Sequence, residues 1–170
     1  LELVRSGLRG GPPGSVTAEP LAAEARVLAL VNERWPAIVR SQMRPGPFGP
    51  VAVASDAPTH PLAYHALALA MYDRAIGLLG SAAGTEARIA LARMARASAL
   101  LAAPDADLAY WGRSQEPSWA LALTAASAGA LGADGAPGRR RAERLRARTA
   151  LRLDAVHDFG PFGVGIVPAL

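Results

Sequence analysis

Apolar residues recur along this chain at helical spacing and divide it into five helical stretches. From about Thr17 to Arg44, Leu21, Ala25, Leu28, Trp35 and Val39 fall near one stripe. Pro36 lies inside that stretch. It has no N–H for the bond to residue 32 and crowds the preceding turn, which predicts a kink or a break there. A loop punctuated by glycines and prolines follows, Pro45 to Pro58, around Phe48 and Val51. A second helix opens at Thr59 or His60, carries Pro61 in its first turn, runs to about Leu79 and stops at Gly80. The third spans Thr85 to about Ala103, with Thr85 as a capping candidate. Its apolar stripe is Leu91, Met94, Ser98 and Leu101, and Arg88, Arg93 and Arg96 share the opposite side. The fourth runs from near Pro117 to Leu131–Gly132. The fifth runs from Arg139 to about His157, burying Ala142, Leu145, Thr149, Leu153 and Val156 and turning its arginines outward.

Two regularities suggest how these helices stack. The stretch Pro117 to Leu131 holds no charge, and the second helix holds only Asp73 and Arg74, near its end. Helices apolar on every side belong inside, so helices two and four form an inner layer and the amphipathic third and fifth an outer one. The connections after helices two and four are short (Gly80–Gly84, Gly132–Gly138) and those before them are long, which puts both long loops at one end of an up-down array. A faint repeat agrees: P-L-A-Y-H-A-L-A-L from Pro61 echoes P-S-W-A-L-A-L from Pro117. The expected fold is all-α, with antiparallel helical hairpins in a curved double layer. Residues 17–157 form the helical domain, 1–16 an irregular lead-in or linker, and 158–170 an irregular apolar tail.

Composition narrows the classes without choosing one. Alanine and leucine dominate, half the residues are apolar and 19% are charged, so general disorder is excluded. All eighteen basic residues are arginine, and the net charge is only +4. Only the run Arg139 to Arg152 is dense in arginine, and it has no interleaved aromatic residue, so no nucleic-acid partner is expected. There is no cysteine, hence no disulfide framework or thiol chemistry. No segment reaches the length needed to span a bilayer, so no membrane partner is expected either. The start at Leu1 reads as a segment trimmed from something larger.

Candidate chemistry concentrates in one place. Asp105 to Trp119 (D-A-D-L-A-Y-W-G-R-S-Q-E-P-S-W) packs three acids, an arginine, a glutamine, a tyrosine and two tryptophans between plain helices. Connections this long and chemically dense usually bind or catalyse. Tyr110, Arg113, Gln115, Glu116 and Trp119 stand at the start of helix four, while His60, Tyr64 and His65 stand in the first turns of helix two, at the same expected end. His60 and Tyr64 share a helix face, and His65 points about 100° further round. Helix N-termini and the Arg113 fork suit an anionic or polyhydroxylated ligand, with Trp111 or Trp119 as a stacking platform. Each residue also has a structural reading. Tyr64 and His65 can be packing residues, Glu116 or Ser114 a helix cap, and Arg113 a partner of Asp105 or Asp107. The D-A-D at Asp105–Asp107 lacks the oxygens and glycine of a calcium loop, and His60, His65 and His157 lack metal-ligand spacing, so neither metal nor cofactor is expected.

The hairpin period, the charge-poor helices, S-D-A-P-T-H-P-L-A-Y-H (Ser55 to His65) and L-A-Y-W-G-R-S-Q-E (Leu108 to Glu116) together resemble part of an (α/α) toroid. That fold houses many polysaccharide lyases and glycoside hydrolases. The resemblance covers roughly residues 17–157 and describes an arc of hairpins, with the remaining hairpins supplied by a larger chain. For a lyase it implies β-elimination on a uronate, with Tyr64, His65 or Tyr110 as base and Arg113 or Gln115 neutralising the carboxylate. The asparagine usual in several such lyases has no counterpart, since Asn32, in helix one, is the only asparagine. For a hydrolase it implies two carboxylates roughly 5–9.5 Å apart, Glu116 with Asp107 or Asp56. His60, Asp107, Trp111, Gln115 and Trp119 would then hold a polysaccharide or oligosaccharide. The competing expectation is a non-catalytic helical module that binds a protein or peptide on its concave face. A deep polar pocket between the long loops favours the enzyme. A shallow apolar groove, or Tyr64 and His65 satisfied in the core, favours the binding module.

Overall fold

The computed structural model describes residues 18–54, 62–102 and 118–156, and side chains within 23–54, 63–102 and 119–152. It is predominantly helical. The first helical stretch has three parts: α1 (Ala18–Ala29), a π-helical turn (Leu30–Arg34) and α2 (Trp35–Ser41). The chain neither breaks nor stops at Pro36. Instead the turn before it widens, and the Trp35 N–H reaches back five residues to the Leu30 carbonyl. In that register Pro36 lacks the N–H that would serve the Val31 carbonyl, and the Tyr72 hydroxyl donates to it from 2.9 Å. Burial pushes the Tyr72 phenol pKa well up, so it stays a donor.

The end of the expected first helix and the punctuated loop after it form a short antiparallel hairpin, β1 (Met43–Arg44) and β2 (Val51–Ala52), with Met43 opposite Ala52 and Arg44 opposite Val51. Val51 and Ala52 are both buried, so β2 is part of the core wall. Its turn needs Gly49, whose φ of 108° is open to glycine and strained for other residues.

Four packed helices follow: α3 (Leu62–Leu79), α4 (Thr85–Leu101), α5 (Ser118–Ser127) and α6 (Gly135–Val156). The α3 helix ends as its sequence predicts, at Gly80 with φ 56°, and passes into a 3-10 turn (Gly80–Ala82). Gly84, rather than Thr85, is the N-cap of α4, and Thr85 makes no capping bond there. Asn32 ties this turn to the π-helical segment, accepting from Gly84 N–H at 2.8 Å and donating to Ala82 O at 3.0 Å. A second 3-10 segment (Ala128–Asp134) joins α5 to α6, so α6 opens at Gly135, four residues before the expected Arg139.

The layering differs from the sequence expectation. The outer position was expected for the arginine-bearing third helix, yet α4 is the centre of the described structure. It packs against α2, β2, α3, the second 3-10 segment and α6. Ala87, Ala90, Leu91, Ala92, Met94, Ala95, Ala97 and Ser98 are all buried, an arc of roughly 220° at 100° per residue. Alanine makes this feasible: its short side chain lets neighbouring backbones approach from several directions, while Arg88, Arg93 and Arg96 leave through the narrow remaining flank or past the helix start. On α6, by contrast, Ala142, Leu145 and Thr149 are buried as expected.

One ionic cluster fastens the layers. The Asp134 carboxylate accepts from Arg96 Nε at 2.9 and 3.0 Å and from Arg141 Nη2 at 3.0 Å, while Arg96 Nη1 donates to Pro50 O at 3.3 Å. Hydrogen bonds from Arg96, set against partial burial, hold the Asp134 pKa below the usual carboxylate range. Arg141 also lies over the Phe48 ring, 4.6 Å from its centre. Four separate parts of the chain thus meet at one carboxylate.

Candidate functional site

Of the ten candidate residues, the structure describes Tyr64, His65 and Trp119; His60, Asp107, Tyr110, Trp111, Arg113, Gln115 and Glu116 lie outside the described residues. The same holds for Asp56, Asp105, Ser114 and His157. The expected convergence of the two charge-poor helices is present in outline. Ala63 and Ala66 of α3 pack with Ala120 and Leu121 of α5, beside Ala102 at the end of α4. The first turns of α3 and α5 therefore do lie together. What joins them is tightly packed alanine.

His65 sits just inside this junction and is 1% exposed. Its Nδ1 accepts from the Ala54 N–H at 2.9 Å, and its Nε2 lies 3.1 Å from the Met94 carbonyl. An amide can only donate and a carbonyl only accept, so the ring is neutral with its proton on Nε2. Desolvation lowers its pKa to about 4, opposed by the smaller effect of the Met94 carbonyl. In this arrangement neither nitrogen is free to take a substrate proton, and the imidazole pins the irregular segment after β2 to α4.

Tyr64, one residue earlier on α3, points the other way, into an open groove of about 370 Å³ between α3 and the π-helical turn. Leu30, Trp35, Leu67, Met71 and Ala75 line it with Tyr64. The polar tips in its walls are turned elsewhere: the Tyr72 hydroxyl to Val31 O, and the Trp35 indole N–H to Met94 Sδ at 3.4 Å. Trp35 and Tyr72 brace each other with ring centres 5.3 Å apart. The groove therefore presents carbon. Met71 is 65% exposed, Leu30 48% and Leu67 38%. Arg34, next to Trp35 in sequence, and Arg74, three residues after Met71 on α3, are both exposed.

The sequence reading missed this feature because it assigned α3 to an interior surrounded on all sides. The signal was present. Tyr64, Leu67, Ala68, Met71 and Ala75 form a second helical stripe, separate from the core stripe of Ala66, Leu69, Tyr72, Ile76 and Leu79. Among the described residues α4 and α5 pack on α3, while Leu67 and Met71 of the second stripe remain exposed. Among the described residues, no group of three His, Cys, Asp or Glu side chains is placed to hold a metal, and no helix is long and apolar enough to cross a membrane. Comparison with known protein families, with curated proteins and with solved structures finds no match.

Proposed function

We propose that this domain is a non-catalytic interaction module whose groove takes one apolar-faced, acid-flanked helix of a protein partner. The observation that carries this reading is the cluster of exposed Leu30, Leu67 and Met71 around an almost wholly apolar groove of about 370 Å³. Contiguous exposed apolar surface of this kind marks interaction sites on soluble proteins. Its two long walls are themselves helical, so a third helix fills it by ordinary ridge-in-groove packing, anchoring residues at i, i+3/i+4 and i+7. The exposed Arg34 and Arg74, close in sequence to the groove residues Trp35 and Met71, would favour acidic residues flanking the apolar anchors.

Trp35 lines the groove and can report on its occupancy. With Trp111 and Trp119 changed to Phe, the domain is titrated with a four-turn peptide bearing leucines at those anchor positions and glutamates elsewhere. A saturable change in tryptophan emission is expected, with Kd on the order of micromolar. Met71→Glu should weaken it at least about tenfold, since it places a charge in the apolar contact. A response shared by a scrambled peptide, unaffected by Met71→Glu, or absent altogether would overturn the reading.

A further inference from the structure

We propose that the outer face of α6 is a phosphate-binding ridge for duplex nucleic acid, independent of the groove. Residues 139–152 hold seven of the chain's eighteen arginines. From sequence alone no nucleic-acid partner is expected, because the run lacks interleaved aromatic residues. Its placement adds information. Burial of Ala142, Leu145 and Thr149 fixes the rotation of α6 and turns Arg140, Arg144 and Arg148 outward at four-residue intervals, with Arg139 about 100° round the helix from Arg140. All four are exposed, and among the described residues none of them makes an ion pair or hydrogen bond. Their neighbours are engaged, Arg141 with Asp134 and Arg146 with the Ala125 carbonyl. Glu143 is the only acid between residues 135 and 152.

Like charges at i and i+4 repel along a helix, so this row is a small standing cost to the isolated domain that a polyanion would relieve. Four residues of helix advance about 6 Å and turn about 40°, so the three arginines form a row about 12 Å long that winds about 80° around the helix. Duplex DNA presents one charge per about 1.7 Å of its axis whatever its sequence, and a guanidinium matches a phosphate bidentately. The ridge also indicates which polyanion. A protein partner would need a buried aromatic or aliphatic anchor at its centre, and single strands need aromatic platforms for stacking. Among residues 139–152 there is no aromatic, and the large apolar residue exposed there is Leu151, near the end.

The test is fluorescence anisotropy of the full chain with two labelled duplexes of unrelated sequence, the matching single strands, and a glutamate-rich peptide. Both duplexes should bind alike, with Kd on the order of 1–100 μM near physiological salt. The plot of log K against log salt should have a slope of about −3 to −4, for four phosphates neutralised. Arg140→Glu, Arg144→Glu and Arg148→Glu together should weaken binding at least tenfold with unchanged circular dichroism. The charge-matched triple Arg34→Glu, Arg44→Glu and Arg74→Glu should weaken it far less. Equal loss in the two triples would reduce the effect to net charge and overturn the proposal. So would absent duplex binding, or tighter binding of the single strands or the acidic peptide. Because no residue of the α6 row lines the groove, failure here leaves the groove reading standing, and the reverse.

Discussion

Replacing Gly138 with alanine should destabilise the domain by about 3 kcal/mol, the upper end for overpacking, and lower Tm by roughly 6–12 °C. Gly138 is buried in the first turn of α6, where that helix folds back over the second 3-10 segment. A methyl group there would run into the Leu131 carbonyl and come within 2.7 Å of the Asp134 Cβ. Neither obstacle is the far end of a flexible side chain, so the backbone itself has to shift. That shift would drag on Leu131, which is fully buried, and on the carboxylate that collects Arg96 and Arg141. The matched control is Gly77→Ala. It lies on the exposed side of α3 with nothing within 4 Å of the added carbon, and should stabilise by about 0.5–1 kcal/mol through helix propensity. Paired thermal melts decide the matter. Similar melts for both variants would mean that the α6 junction is not packed as described.

Lowering pH from 6.5 to 4 should remove about 3 kcal/mol of stability through His65 alone. Its pKa falls from 6.5 in the unfolded chain to about 4 in the fold, chiefly by desolvation. Between those values the unfolded chain takes up a proton that the folded one refuses. Stability is therefore complete above pH 6.5, declines by up to about 1.4 kcal/mol per unit below it, and stops declining from this cause near pH 4. Other groups titrate in the same range, so a comparison isolates the effect. His65→Leu strands the Ala54 amide that the ring nitrogen accepts, and should destabilise by about 2–3 kcal/mol at pH 7. The gap between the two proteins should shrink as pH falls and close or reverse toward pH 4. Urea titrations at four pH values would measure it. A gap that stays constant would show that His65 is not a buried neutral link.

Much of the helical layout was legible from residue spacing, and the reasons are local. Gly80 stops α3 because it can take a positive φ, and Ala142, Leu145 and Thr149 mark the inner side of α6 because polar residues fill the positions between them. The arrangement of the helices was harder to read. An inner helix was expected to be charge-poor, but α4 reaches the centre through alanine, whose lack of bulk matters more there than the arginines at its flank. The hairpin at Met43–Ala52 has strands of two residues each, too short to show alternation. Pro36 was visible as a disturbance, although its remedy depends on Tyr72, distant in sequence. For the site, the proximity of the α3 and α5 starts was foreseeable from loop lengths. Which face of α3 is exposed among the described residues depended on how its neighbours are arranged, and local spacing does not carry that information.

The groove reading can be tested at a single atom. The chain has three methionines, and they sit in three environments: Met43 on the hairpin, Met71 exposed at the groove and Met94 buried in the core. Labelling their methyl carbons with 13C gives three resonances, and the acid-flanked leucine peptide can be titrated against them. The Met71 methyl should shift progressively and saturably while Met94 and Met43 hold their positions. A spectrum in which Met71 stays still, or in which Met94 moves with it, would contradict a preformed docking groove on α3.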